Sequence, residues 1–127
     1  MGPEALQKKL EDESEGLKKI QKDLSKTDSR RSHLDSQLNE NKMVKAEMDV
    51  LEENDVVYKL IGPALIRQDL TEAKCSVDKR IEYISNEITR HDSALEKLTT
   101  EQDSKRDSLV KLQQQLQQLL VKAAAKN

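Results

Sequence analysis

Residues 56–70, VVYKLIGPALIRQDL, are the one stretch of this chain that does not read as helix. β-Branched and aromatic residues stand on either side of Gly62-Pro63, the pattern of two short strands joined by a tight turn. Pro63 has no backbone donor, so it belongs in the turn and not in a ladder. Across that turn Tyr58, Leu60, Leu65 and Arg67 fall on one face, with Val57, Ile61 and Ile66 on the other. Both faces are therefore largely apolar, and a lone two-stranded hairpin is marginal in water. Its open edges invite further pairing. The hairpin is expected to need neighbours, most simply the hairpins of other subunits. Val56, Val57, Tyr58, Leu60, Ile61, Leu65 and Ile66 are its expected assembly residues.

Long leucine-spaced flanks stand on both sides. In the first, Leu6, Leu10, Glu13, Leu17, Ile20, Leu24, Thr27, Arg31, Leu34 and Leu38 alternate in steps of four and three, which keeps one stripe of a helix facing a partner. Met43, Val44, Met48 and Leu51 are expected to continue that face with a local change of phase. Pro3 suits a first helical turn, and Asn54, tolerant of the left-handed conformation, is the expected end. In the second flank Val77, Ile81, Ile84, Ile88, His91, Leu95, Leu98, Gln102, Lys105, Leu109, Leu112, Leu116 and Leu119 keep the alternation throughout. Asp69, with Glu72 three residues on, forms a capping-box-like start. The expected layout is a single domain over 1–127: a helix over 3–54, a hairpin over 55–69 and a helix over 70–122.

Arms of about 48 residues reach about 70 Å at 1.5 Å per residue. A short hairpin forces them antiparallel, so paired positions have numbers summing to about 122. Leu10 then lies by Leu112, Leu24 by Leu98, Leu34 by Ile88, and Leu38 by Ile84, with slips of one heptad open. Arg31 faces His91, Ile20 faces Gln102 and Leu17 faces Lys105, so the middle of the seam is polar. Such positions fix register at some cost in stability. A metal site needs several convergent ligands, and His33 points elsewhere on the helix.

Composition closes off other classes. The 127 residues are 36% charged and 35% apolar with only two tyrosines as aromatics, too little apolar volume for a thick globular core. A net charge of −2 with interspersed signs offers no basic stripe for nucleic acid. No apolar run approaches a membrane span, and no signal-peptide pattern opens the chain. One cysteine, Cys75, precludes an internal disulfide and fits a reducing compartment, so a cytoplasmic protein is the expectation. No phosphate loop, nucleophile elbow or calcium loop is spelled out, so neither an enzyme nor a cofactor is implied.

The string VVYKLIGPALIRQDL, preceded by QLNENKMVKAEM and followed by TEAKCSVDKRIEYISNEI, resembles the β-type prefoldin subunits. The resemblance runs from about Leu6 to Leu98; beyond that it is mostly heptad-like. It implies a mainly α subunit, a long antiparallel two-helix coiled coil whose one hairpin contributes to an oligomeric β-barrel platform. The implied assembly is a heterohexamer of two α-type and four β-type subunits. Its arm tips hold unfolded client proteins such as actin and tubulin and pass them, without ATP, to the cytosolic group II chaperonin. Leu6, Leu10, Leu112, Leu116, Leu119 and Leu120 lie at the ends of the arms, where frayed seams expose apolar surface. Two uses stay open for them: contact with clients, or zipping the arms together. A structural coiled-coil spacer or tether is the alternative for the whole chain, although it leaves the two-sided apolar hairpin without a use.

Overall fold

The structure, a computed structural model, describes residues 2–126. Helix α1 spans Pro3–Asp49, strands β1 (Val57–Ile61) and β2 (Ala64–Gln68) form a two-stranded antiparallel sheet, and helix α2 spans Leu70–Ala125. Two long antiparallel helices with one hairpin between them are thus the observed architecture. The chain divides into two units, residues 30–92 and residues 1–29 with 93–127.

The unit of residues 30–92 holds the largest apolar cluster. Met48 of α1 packs with Ala73 and Val77 of α2, and Leu51, Val57, Leu70 and Ile81 surround them. Val57 is the strand residue that ties the hairpin to the helices. The seam runs Arg31, Leu34, Leu38, Asn41 and Met48 on α1 against Val77, Ile81, Ile84, Ile88 and His91 on α2, every one buried or half-buried. The expected change of phase at Met43 does not occur. Met43 is 67% exposed, because the four-three alternation carries straight on from Leu38 through Asn41 to Met48. Asn41 is accommodated there by its own hydrogen bonds. Its amide donates to the Gln37 carbonyl at 2.7 Å, and its carbonyl accepts from Arg80 at 3.3 Å.

Register in this unit is read from ion pairs across the seam. Arg31 pairs with Asp92, and Lys45 with Asp78 at 2.8 Å, both pairs summing to 123. Arg31 thus engages the neighbour of the expected His91, whose Nδ1–H is turned to the Glu87 carbonyl at 2.7 Å. The hydrogen bond and charge of Asp78 hold the Lys45 ammonium above the ordinary lysine pKa. What that pair adds is present below the ordinary lysine pKa and is lost only as pH rises through the raised value. Both side chains are about half exposed, so the pair fixes alignment more than it stabilises.

Helix ends are set by short polar contacts. Asp69 caps α2, accepting from the Glu72 backbone N–H at 3.3 Å. Helix α1 stops at Asp49, short of Asn54, and no residue other than glycine has a positive φ among those described. The chain instead tightens at once, with Leu51 N–H donating to the Met48 carbonyl at 3.2 Å. Asp55 then closes a local turn by accepting from the Glu52 N–H at 2.7 Å. An aspartate side chain therefore does the work expected of an asparagine in the left-handed region.

In the unit of residues 1–29 and 93–127, Leu6 and Leu112 are buried at 3% and 6% exposure. Leu10, Leu17, Ile20, Leu24, Leu95, Leu98, Leu109, Leu116 and Leu119 are half-buried along the same seam. The polar interruption at Glu13 and Gly16 has a specific partner. Lys105 lies over Gly16, where a Cβ would stand 3.4 Å from its Cε, and its ammonium reaches Glu13 at 3.2 Å. Gly16 leaves room for the lysine stem and Glu13 neutralises its end, which lets a charged residue occupy a seam position.

Two substitutions test these local arguments. A Cβ at Gly16 makes only ordinary contact with a flexible side chain, so Gly16→Ala is expected to stabilise α1 by about 0.5–1 kcal/mol, the helix-propensity gain. A raised helical melting temperature by circular dichroism is the readout, and a fall would mean that Lys105 cannot yield. Asp69→Ala removes a cap worth about 1 kcal/mol. Amides of residues 71–73 should then exchange with solvent about fivefold faster.

Candidate interaction surfaces

The hairpin is built by its turn. Gly62 has φ 57° and is followed by Pro63, whose ring holds φ negative, the sign pattern of a type II′ hairpin turn. That turn sets the pairs Val57–Gln68, Tyr58–Arg67, Lys59–Ile66, Leu60–Leu65 and Ile61–Ala64. Directly paired residues share a face. Tyr58, Leu60, Leu65 and Arg67 therefore form one face, with Val57, Ile61 and Ile66 on the other, as the sequence suggests.

Apart from Val57, this surface is bare. Val56, Tyr58, Leu60, Ile61, Leu65 and Ile66 are 46–68% exposed, and the apolar cluster of the helices meets the sheet at Val57. Isolated exposed leucines are ordinary, but five large apolar side chains on one two-stranded sheet, with Val56 beside it, are not. Burying each against a partner stabilises by about 1.5–3 kcal/mol at most. Both strands also keep an unpaired edge. The arrangement is suited to sheet extension and apolar packing by another chain.

The six end leucines are placed differently from one another. Leu6 and Leu112 are buried in the seam, Leu10, Leu116 and Leu119 are half-buried, and Leu120 is 55% exposed. Leu10 and Leu109 line one open groove with Gln7, Glu11 and Ser14. Leu6 and Leu119 line another with Gln115, Gln118 and Lys122. Leu6, Leu10 and Leu119 thus lie in or beside the seam and still border open grooves. The sequence reading missed Val110 and Val121, exposed at 51% and 61%. Their eleven-residue separation, three helical turns, was the available signal, hidden because they lie off the main stripe. Cys75 is exposed, on the helix surface beside the seam.

The geometry presents exposed apolar surfaces on a coiled-coil frame, the class of a scaffold or chaperone subunit. A family model described as prefoldin subunit matches residues 11–122. Prefoldin subunit 6 of Arabidopsis thaliana is 50% identical over 112 residues, covering 88% of this chain and 87% of that protein. Prefoldin subunit 6 of Homo sapiens is 46% identical over 114 residues, covering 90% and 88%. The crystal structure of the prefoldin beta subunit from Thermococcus strain KS-1 superposes with a TM-score of 0.56 at 20% identity, covering 87% of this chain and 90% of that one. The chain belongs to the prefoldin subunit family, a family of non-enzymatic chaperone components, and its single hairpin is of the β-type.

Membership implies assembly with other prefoldin subunits, and the bare sheet generates a direct prediction about how. Replacing Leu60 and Ile61 by Asp puts one carboxylate on each face while leaving the backbone ladder intact. Co-purification with partner subunits should be lost with helix content unchanged by circular dichroism. Normal co-assembly of the double variant would remove the hairpin from the interface.

Proposed function

We propose that the chain is a subunit of an ATP-independent holdase, assembled through its hairpin into a heterohexamer of two α-type and four β-type subunits. The observation that carries the reading is the hairpin with both apolar faces exposed, an assembly element at the joint of two long helices. Partner hairpins cover Val56, Val57, Tyr58, Leu60, Ile61, Leu65 and Ile66. The helix ends then stand clear to hold unfolded polypeptides through Leu6, Leu10, Leu112, Leu116, Leu119 and Leu120. Actin and tubulin are the expected clients, delivered in the cytoplasm to the group II chaperonin.

The physics suits a holdase that lacks nucleotide hydrolysis. Half-buried leucines in open grooves offer contacts worth at most about 1.5–3 kcal/mol each, part of which is offset by ordering of the helix ends. Many weak, exchangeable contacts hold a client without trapping it. No helix among the described residues is long and apolar enough to cross a membrane. The burial of Leu6 and Leu112 is what a plain spacer would also show, so the test must read client protection. Hexamers with every tip shortened, residues 1–12 and 109–127 in this chain, should assemble normally yet protect a denatured client less well against aggregation. Protection equal to that of the intact complex would exclude the tips as the holding surface.

A further inference from the structure

The last turns of α2 carry a second stripe that the seam does not use. Leu109, Leu112, Leu116 and Leu119 lie on the seam, whereas Val110, Gln114, Gln117 and Val121 recur in steps of four, three and four on the solvent side. Val110 and Val121 are 51% and 61% exposed, and Leu120, at 55%, stands between the two stripes. Gln114, Gln117, Gln118, Val121 and Lys122 line an open groove of about 610 Å³. Val110-Lys111 recurs as Val121-Lys122 after eleven residues, which is three turns and about 16 Å along the helix. Two apolar anchors, each with a lysine beside it, therefore sit in line.

Charge narrows what fits there. From residue 108 to its end at Ala125, α2 carries Lys111 and Lys122 and no Asp or Glu, and Lys126 follows it. Residues 3–16 of α1 carry Glu4, Glu11, Asp12, Glu13 and Glu15 against Lys8 and Lys9, so the basic character belongs to α2 alone. Backbone chemistry narrows it further. A helix offers no free N–H or C=O to a neighbour, so an extended chain laid on this face would dehydrate its own backbone groups without partners. A helix brings its backbone already paired. The four-three spacing is also that of a seam between helices.

We propose that the outer face of α2 over residues 110–122 docks an acidic amphipathic helical segment of a non-native client. Its apolar groups seat on Val110 and Val121 and its carboxylates on Lys111 and Lys122. This rests on the tip-binding reading above and adds the face and the chemistry of the segment. It adds a second client contact beside the end leucines, which zip the arms as well as bordering the client.

The test uses the assembled hexamer and three labelled 21-residue peptides carrying a photoreactive group among the same heptad-spaced leucines. One has Glu at the flanking positions, one has Lys, and one is the Glu peptide interrupted by two central prolines. Crosslink yield on this chain alone removes the contribution of the other subunits. The Glu peptide should label residues 110–122 about tenfold more than the Lys or proline peptide, as expected for a few partly exposed charge contacts. The double variant Lys111→Glu, Lys122→Glu should reverse the Glu-over-Lys preference, and Val110→Ser with Val121→Ser should weaken both without disturbing assembly. Equal labelling by the three peptides, labelling that spares residues 110–122, or a charge preference indifferent to the lysines would overturn the proposal. If shortening every tip abolishes client protection while these preferences are absent, the outer face is wrong and tip binding stands. If shortening every tip changes nothing, tip binding itself is wrong.

Discussion

A chain with this little apolar volume can bury one narrow stripe, and the whole structure follows from how that stripe is used. The seam between α1 and α2 takes up most of the leucine and isoleucine and leaves nothing to cover the hairpin. Val57, packed against the Met48–Ala73–Val77 cluster, anchors the sheet to the helices. Beyond that anchor the sheet stands exposed. The seam also explains why charged and polar residues sit where a globular core would exclude them. Asn41 and Lys105 are each satisfied by a neighbour across or along the helices, at the half-wet depth a two-helix seam provides.

The seam was legible in the sequence because its period is the physics. Every expected position from Val77 to Leu119, and from Leu6 to Leu38, is buried or half-buried. Unit by unit the register agrees as well. Contacts in residues 30–92 sum to 121 or 123, while Glu13–Lys105 sums to 118, within the one-heptad slip left open. The hairpin faces were legible for the same reason, since Gly62-Pro63 permits one short turn and the turn dictates the pairs.

The misreadings have a common cause. Met43 and Val44 look like core residues by type, yet they stand out of phase with a stripe that Asn41 continues, and period outranks residue type. The end of α1 was assigned by the tolerance of Asn54 for a left-handed conformation, but Asp55 competes through a side-chain hydrogen bond that no propensity displays. At the tips, sequence identified the leucines and could not apportion their burial. Leu112 and Leu120 are chemically the same residue, and only their place around the helix makes one buried and the other exposed.

The uncovered hairpin has a consequence for supply as well as for assembly. A two-stranded sheet with little support from its own chain is ordered in proportion to the partners available to cover it, because anything that binds only the folded form shifts its folding by mass action. On the proposed assembly, the stability of this region is a property of the pool of subunits, not of the sequence alone. A chain made in excess of its partners carries six bare apolar side chains and two open strand edges, features that favour aggregation and clearance of marginally folded protein. Under that proposal, balanced production of subunits is written into five paired residues on each side of one turn.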